Sequence, residues 1–190
     1  MRTSKYLIEP LIESFRIQSV LSFESIASIL GTRSTMTIFR KLKSLDYCSS
    51  YSDAGRFYIL KRFIKFDDNG LWFHGRIRFS QYGSLPKTLF SLIKNSPAGY
   101  FASELRELLQ VKVHDALTKL VIHKRLHRQQ LRSKYLYLYP PLWHDQLRHR
   151  EEHLKEEILK GDNDLLPEDV KGHMCWLLSL LHLFYLTIRF

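Results

Sequence analysis

The sequence predicts an α+β fold, mainly α with small β-hairpins, built as two similar modules joined by a packed connector and followed by C-terminal helices. Three observations carry this. Apolar residues recur at helical spacing in several short segments. Pairs of aromatic-rich runs flank short turns, as in hairpins. The order of these elements then repeats 78 residues further on, within a chain whose 190 residues allow one domain or two small ones. With 45% apolar and 13% aromatic residues, wholesale disorder is excluded.

The first module is expected over residues 1–62. Residues 4–16 read as a helix with Tyr6, Leu7, Leu11, Ile12 and Phe15 on one face, and Pro10 kinks it or delays its start. Ser22 is a good N-cap for a short helix from Phe23 to Leu30, which Gly31 ends. A third helix is expected from Arg33 to Leu45, burying Ile38, Phe39, Leu42 and Leu45. Its other face would show Arg33, Thr35, Thr37, Arg40, Lys41 and Ser44. Tyr47–Tyr51 and Arg56–Leu60, around Ser52-Asp53-Ala54-Gly55, read as a hairpin.

The second module is expected over residues 85–141. It has a helix at Leu85–Asn95, a turn at Pro97-Ala98-Gly99, and a short helix at Ser103–Leu109 with Ser103 as N-cap. A longer helix at Lys112–Lys124 and a hairpin over Leu126–Leu138 follow. Phe23 and Phe101, Leu42 and Leu120, Phe57 and Tyr135, and Leu60 and Leu138 are each 78 residues apart. The short helices match one residue later, which calls for one extra residue before the second short helix and one fewer after it. The connector, residues 63–84, carries a hairpin at Leu71–Phe73 and Arg76–Ser80. It is rich in aromatics (Phe63, Phe66, Trp72, Phe73, Phe79, Tyr82), so it is expected to pack and fix one module against the other.

Helix, short helix, tight turn, helix and hairpin, in that order, resemble the winged-helix form of the helix-turn-helix. There the third helix enters the major groove and the hairpin is the wing. The likeness is one of architecture, over about 140 residues. Separately, the run from Tyr51-Ser52 through Gly55-Arg56-Phe57-Tyr58, Gly70-Leu71-Trp72, Gly75, Phe79-Ser80 and Gly83-Ser84-Leu85 resembles a bacterial family without an assigned activity, over residues 50–140.

Charge agrees with a polyanionic partner. The chain holds 29 Lys+Arg against 19 Asp+Glu. Residues 1–141 hold 23 and 10, whereas residues 142–190 hold 6 and 9, so an organisational boundary is expected near Pro140-Pro141. Arg33, Ser34, Thr35, Thr37, Arg40 and Lys41 on the first candidate recognition helix suit base edges and phosphates; a solvated helix face is the plainer reading. Lys112, His114, Thr118 and Lys119 are the second set, with Asp115 among them, and there a protein-facing helix is the rival. Arg56 is the cation of the first hairpin turn. Arg125, Arg128, Arg132 and Lys134 stud the second hairpin, as a phosphate-contacting wing or as an edge strand charged against aggregation.

Other chemistry is poorly supported. His149-Arg150-Glu151-Glu152-His153 matches H-x-x-E-H, but it sits in a charge-laced helix, Leu147–Leu159, and no metal is expected. Cys48 and Cys175 make neither a disulfide framework nor a metal site. No phosphate-loop or dinucleotide motif and no recognisable nucleophile set occurs, so no cofactor and no enzyme activity are expected. Residues 142–190 should be helical. In the segment 174–190, Trp176, Leu177, Leu180, Leu181, Phe184 and Ile188 recur at helical spacing and need a cover. A second copy of the chain is the expected one, with packing on the core as an alternative. A membrane span is disfavoured by the short length and by His182. The whole reads as a cytoplasmic, nucleoid-associated, homodimeric double-stranded DNA-binding protein that regulates transcription. A plasmid- or phage-type replication initiator and a protein-interaction module of a chromosome or defence complex are the alternatives.

Overall fold

In the computed structural model of the chain, residues 8–164 are described, with side chains to residue 156. Helix α1 runs Glu9–Ile17. Pro10 lies in its first turn, where a missing N–H leaves no bond unmade, so the proline starts the helix. Strand β1, Leu21–Ser22, was not expected from sequence; it is too short to show a periodicity. Helix α2, Phe23–Leu30, is capped as expected. Ser22 Oγ accepts from the Ser25 amide at 3.1 Å, and Gly31 ends the helix at φ +61°. Helix α3 covers Thr35–Lys43, shorter at both ends than the expected span: Ser34 is its N-cap and Ser44 its C-cap, beyond which the Leu45 amide turns back to the Leu42 carbonyl at 2.9 Å.

Strands β2, Tyr47–Ser49, and β3, Phe57–Leu60, complete an antiparallel sheet in the order β1-β3-β2. Alternate residues of β3 face opposite ways. Tyr58 and Leu60 join Leu11, Phe15, Leu21, Ile26, Ile38 and Leu42 in the core under the three helices. Ile59, with Cys48 and the partly buried Phe57, instead packs on Phe79, Trp72 and Ile77. Those residues belong to a second hairpin, β4 (Leu71–His74) and β5 (Ile77–Ser80). The sheet is thus covered on one face by helices and on the other by the connector, where Phe66, Trp72 and Phe79 go, whereas Phe63 packs on the helix side and Phe73 is exposed.

The arrangement then recurs as α4 (Leu85–Asn95), β6 (Tyr100–Phe101), α5 (Ala102–Leu109), α6 (His114–Ile122), β7 (His127–Leu131) and β8 (Lys134–Leu138). Its sheet has the corresponding order β6-β8-β7. Ser103 is not the N-cap of α5. The helix starts at Ala102, and the Glu104 carboxylate takes up the Phe101 amide at 2.7 Å.

The register of the repeat also differs from the expected one. Leu11 and Phe15 match Leu89 and Ile93 at 78 residues, all four fully buried. From the first strand onward the offset is a constant 79. It relates Leu21 to Tyr100, both ends of α2 to those of α5, both ends of α3 to those of α6, and Tyr58 to Tyr137. One residue is added before β6 and none is removed later. Pairing Leu60 with Leu138 was therefore one residue out, and in a strand a one-residue slip exchanges the two faces. The addition falls in the turn Ser96–Gly99. Gly99 there has φ +61°, and a Cβ on it would lie 2.6 Å from the Tyr137 carbonyl oxygen.

The second core gathers Leu89, Leu92, Ile93, Leu105, Leu109, Val113, Leu117, Leu120, Leu126 and Tyr137, together with Tyr51 and Leu71 from upstream. Pro140–Leu142 form a 3₁₀ turn that leads into α7, Trp143–Asp164, so the two prolines begin a helix that is longer than expected. The chain divides into two compact units after Gln146. Among the described residues no helix is long and apolar enough to cross a membrane.

Candidate nucleic-acid interface

The α3 surface is built from its cap outward. Ser34 Oγ accepts from the Thr37 amide at 3.4 Å and from the Thr37 hydroxyl at 3.1 Å, and the Ser34 amide donates to Thr32 Oγ1 at 3.2 Å. Ser34 and Thr37 thus engage each other in starting the helix. Arg33, Thr35 and Arg40 are exposed, as are Met36 at 82% and Lys43, neither of which was singled out from sequence. Lys41 corrects an expectation: it is buried, with 9% of its surface exposed. It stands three residues after Ile38 and beside Leu42, so helical spacing places its alkyl stem on the inward face. Residues 25–45 contain no acid, so the only charges on the exposed α3 face are cations.

The α6 surface differs at each corresponding position. Lys112, His114, Asp115 and Lys119 are exposed and Thr118 is half-buried. Asp115 stands where α3 has Met36, and Ile122, 70% exposed, stands where α3 has Lys43. A cleft of about 370 Å³ between α5 and α6 is lined by Ser103, Arg106, Lys112, His114 and Asp115. Its counterpart in the first half is lined by Glu24, Ser28, Thr32 and Arg33.

The two hairpin tips diverge most. Residues 50–57 and 129–136 are equal in number and equivalent in position. In the second half the ladder continues to Leu131↔Lys134 and closes with the two-residue loop Arg132-Ser133. Arg132 is held at φ +56°. Arg128 lies 4.5 Å over the Tyr135 ring, Arg125 lies 4.7 Å over Phe90, and Lys134 Nζ is 5.9 Å from the Phe101 ring. All four cations are exposed. Residues 116–144 hold six Lys/Arg and no Asp/Glu, so this hairpin is a cationic arm without internal neutralisation.

In the first half the ladder stops at Ser49 and the chain opens into a loop with Asp53, Ala54 and Gly55 all at positive φ. Arg56 is exposed there, its Nε donating to the Asp53 carbonyl at 3.1 Å. Beside the base of this sheet, Lys61 Nζ donates to Asp46 Oδ1 at 2.7 Å, and that bond raises the lysine's pKa.

Of the sequence-expected residues, the structure gathers Arg33, Thr35 and Arg40 on one exposed surface, and Arg125, Arg128, Arg132 and Lys134 on one hairpin and its approach. Trp176, Leu177, Leu180, Leu181, Phe184 and Ile188 lie outside the described residues. His149 and His153 are exposed on α7, and among the described residues no three His, Cys, Asp or Glu side chains converge as a metal site. No protein-family model, no curated protein and no solved structure matches this chain.

Proposed function

We propose that the chain binds double-stranded DNA sequence-specifically and regulates transcription, with each half acting as a winged helix. The observation that carries this reading is the acid-free exposed face of α3, where Arg33, Thr35, Arg40 and Lys43 surround Met36. Arginine there can take guanine O6 and N7 with two parallel bonds, Thr35 can reach a base edge or a phosphate, and Met36 offers an apolar contact to a thymine methyl group. The basic β7–β8 arm supplies phosphate contacts, which set orientation and carry affinity without carrying sequence. Self-association through residues 174–190 belongs to the same reading and would make the operator a pseudo-palindrome.

Selection of bound duplexes from a random pool, using the full chain, tests the proposal. A palindromic motif supports a regulator, directly repeated motifs support a replication initiator, and the absence of any motif rejects sequence-specific binding. A second reading, in which α6 faces a protein and α3 alone reads DNA, draws on Asp115 and the exposed Ile122 in the places of Met36 and Lys43, and a selected motif with a single block per chain would support it.

A further inference from the structure

The β2–β3 loop has the length to close as a plain hairpin, as its counterpart does. It is instead drawn across onto the second half. The Tyr51 amide donates to the Arg78 carbonyl at 2.9 Å, and the Arg78 amide donates to Ser52 Oγ at 3.0 Å, so the loop is stitched to β5. The Tyr51 ring is buried in the second core with Leu109, Val113 and Leu117. Its hydroxyl donates to the Leu109 carbonyl at 3.1 Å in a buried bond. The Arg78 guanidinium donates to Gln110 Oε1 and to the Gly75 carbonyl. Leu109 is the last residue of α5 and Gln110, at φ +55°, is its cap. The contacts therefore fall on the turn that sets α6 at its angle to α5. Three successive positive-φ residues, two of them not glycine, are backbone strain that the docked loop tolerates.

We propose that Tyr51 and Arg78 are positioning residues: they clamp the α5–α6 turn to the first half, so that one chain contacts two separated blocks of a duplex at a single spacing. The proposal rests on the DNA-binding reading given above. Because the hydroxyl of Tyr51 and the amide of Gln110 make side-chain bonds across the joint, each can be removed with little change of volume or at an exposed site. The modules would then remain folded while the joint between them loosens. Neither residue needs to touch DNA for this to alter specificity.

The test uses the full chain and the motif selected from a random pool. Base pairs are inserted one at a time between the two blocks that one chain contacts, within a single half-site where the motif is palindromic, each moving the blocks apart by about 3.4 Å. The unsubstituted chain should lose about tenfold in affinity or more away from one preferred spacing, within the range of ordinary site-to-site coupling. Tyr51→Phe and Gln110→Ala should each reduce that penalty about fivefold, the value of one hydrogen bond across the joint. A residue that served stability alone would weaken binding at every spacing equally and leave the ratio unchanged. A motif with a single block, or an unchanged ratio in both variants, overturns this proposal and leaves the DNA reading standing. A chain that binds no duplex at all removes the DNA reading and this proposal with it.

Discussion

Gln146 donates from Nε2 to the Ile93 carbonyl at 2.8 Å, and the same nitrogen donates to the Ser96 carbonyl at 2.7 Å. Its Oε1 accepts from the Tyr139 amide at 2.7 Å. With only 2% of its surface exposed, this side chain serves the C-terminal end of α4 and the chain leaving β8 together. Helix ends leave carbonyls unpaired, and here a residue some fifty positions away supplies the donors. That explains why the first compact unit runs past Pro140-Pro141 to Gln146.

Replacing Gln146 by alanine strands the buried Ile93 carbonyl together with the part-buried Ser96 carbonyl and Tyr139 amide. The expected loss of stability is about 2–3 kcal/mol, since an unsatisfied buried group costs more than a satisfied one gains. Urea unfolding should show a lower midpoint at unchanged slope. A midpoint within error of the unsubstituted chain would contradict the role assigned to this side chain.

Elements with strong local signals were legible in the sequence. Ser22 before an apolar run and Gly31 after it mark α2, and they do so through cap geometry that depends on few neighbours. The connector hairpin was legible from its aromatic residues. What sequence hid was long-range. Gln146 looks like any polar residue on a charged helix, and Lys41 looks like any lysine on a basic one. Strands β1 and β6 have two residues each and exist only because β3 and β8 offer them an edge. At the candidate interface the cations of the second hairpin were legible as a charge run. The conversion of the first hairpin loop into a joint was not, because Tyr51 needs Leu109 beside it to reveal its role.

Lys41 and Arg40 are adjacent, yet their substitution should have opposite consequences. Lys41→Ala removes a buried stem and should lower stability by about 1 kcal/mol while leaving the base preference of any selected motif intact. Arg40→Ala should leave the melting temperature within a degree or two and cost about 1–3 kcal/mol of binding, with relaxed preference at one base pair. Fluorescence anisotropy with matched and mismatched duplexes, alongside thermal melts, separates the two.

Alkali should destabilise the fold in a defined direction. Burial pushes the Tyr51 phenol well above its ordinary value and also raises Tyr58. A hydrogen bond to Asp46 raises Lys61. In each case the folded state holds its proton more tightly than the unfolded chain does. The stability these groups contribute is complete below about pH 9–10 and is lost as pH rises through their folded values. Tyr51 alone contributes a decline of at most about 1.4 kcal/mol per pH unit above pH 10. Urea titrations between neutral pH and pH 11 should show this decline, and Tyr51→Phe should make it shallower.

The tip of the second hairpin sets stability against binding. A two-residue loop of this kind favours glycine at its first position, because a left-handed conformation brings the Cβ of other residues against the carbonyl. Arg132 occupies that position at φ +56°, exposed, on an arm with no acid to pair with. Its guanidinium therefore does not compensate the backbone through an ion pair, and the arginine is retained against a local cost of about 1 kcal/mol. Arg132→Gly should remove the cost, although the gain is reduced by the greater freedom that glycine confers on the unfolded chain. The expected net change is a stabilisation of a few tenths of a kcal/mol up to about 1 kcal/mol, read as a higher urea midpoint. The same variant should bind duplexes more weakly, and the slope of log K against log[salt] should become shallower by about 0.9 if one phosphate contact is lost. Arg132→Lys should keep most of the affinity without the gain in stability. A glycine variant that is both less stable and equally tight in binding would show that the arginine is there for the hairpin and not for DNA.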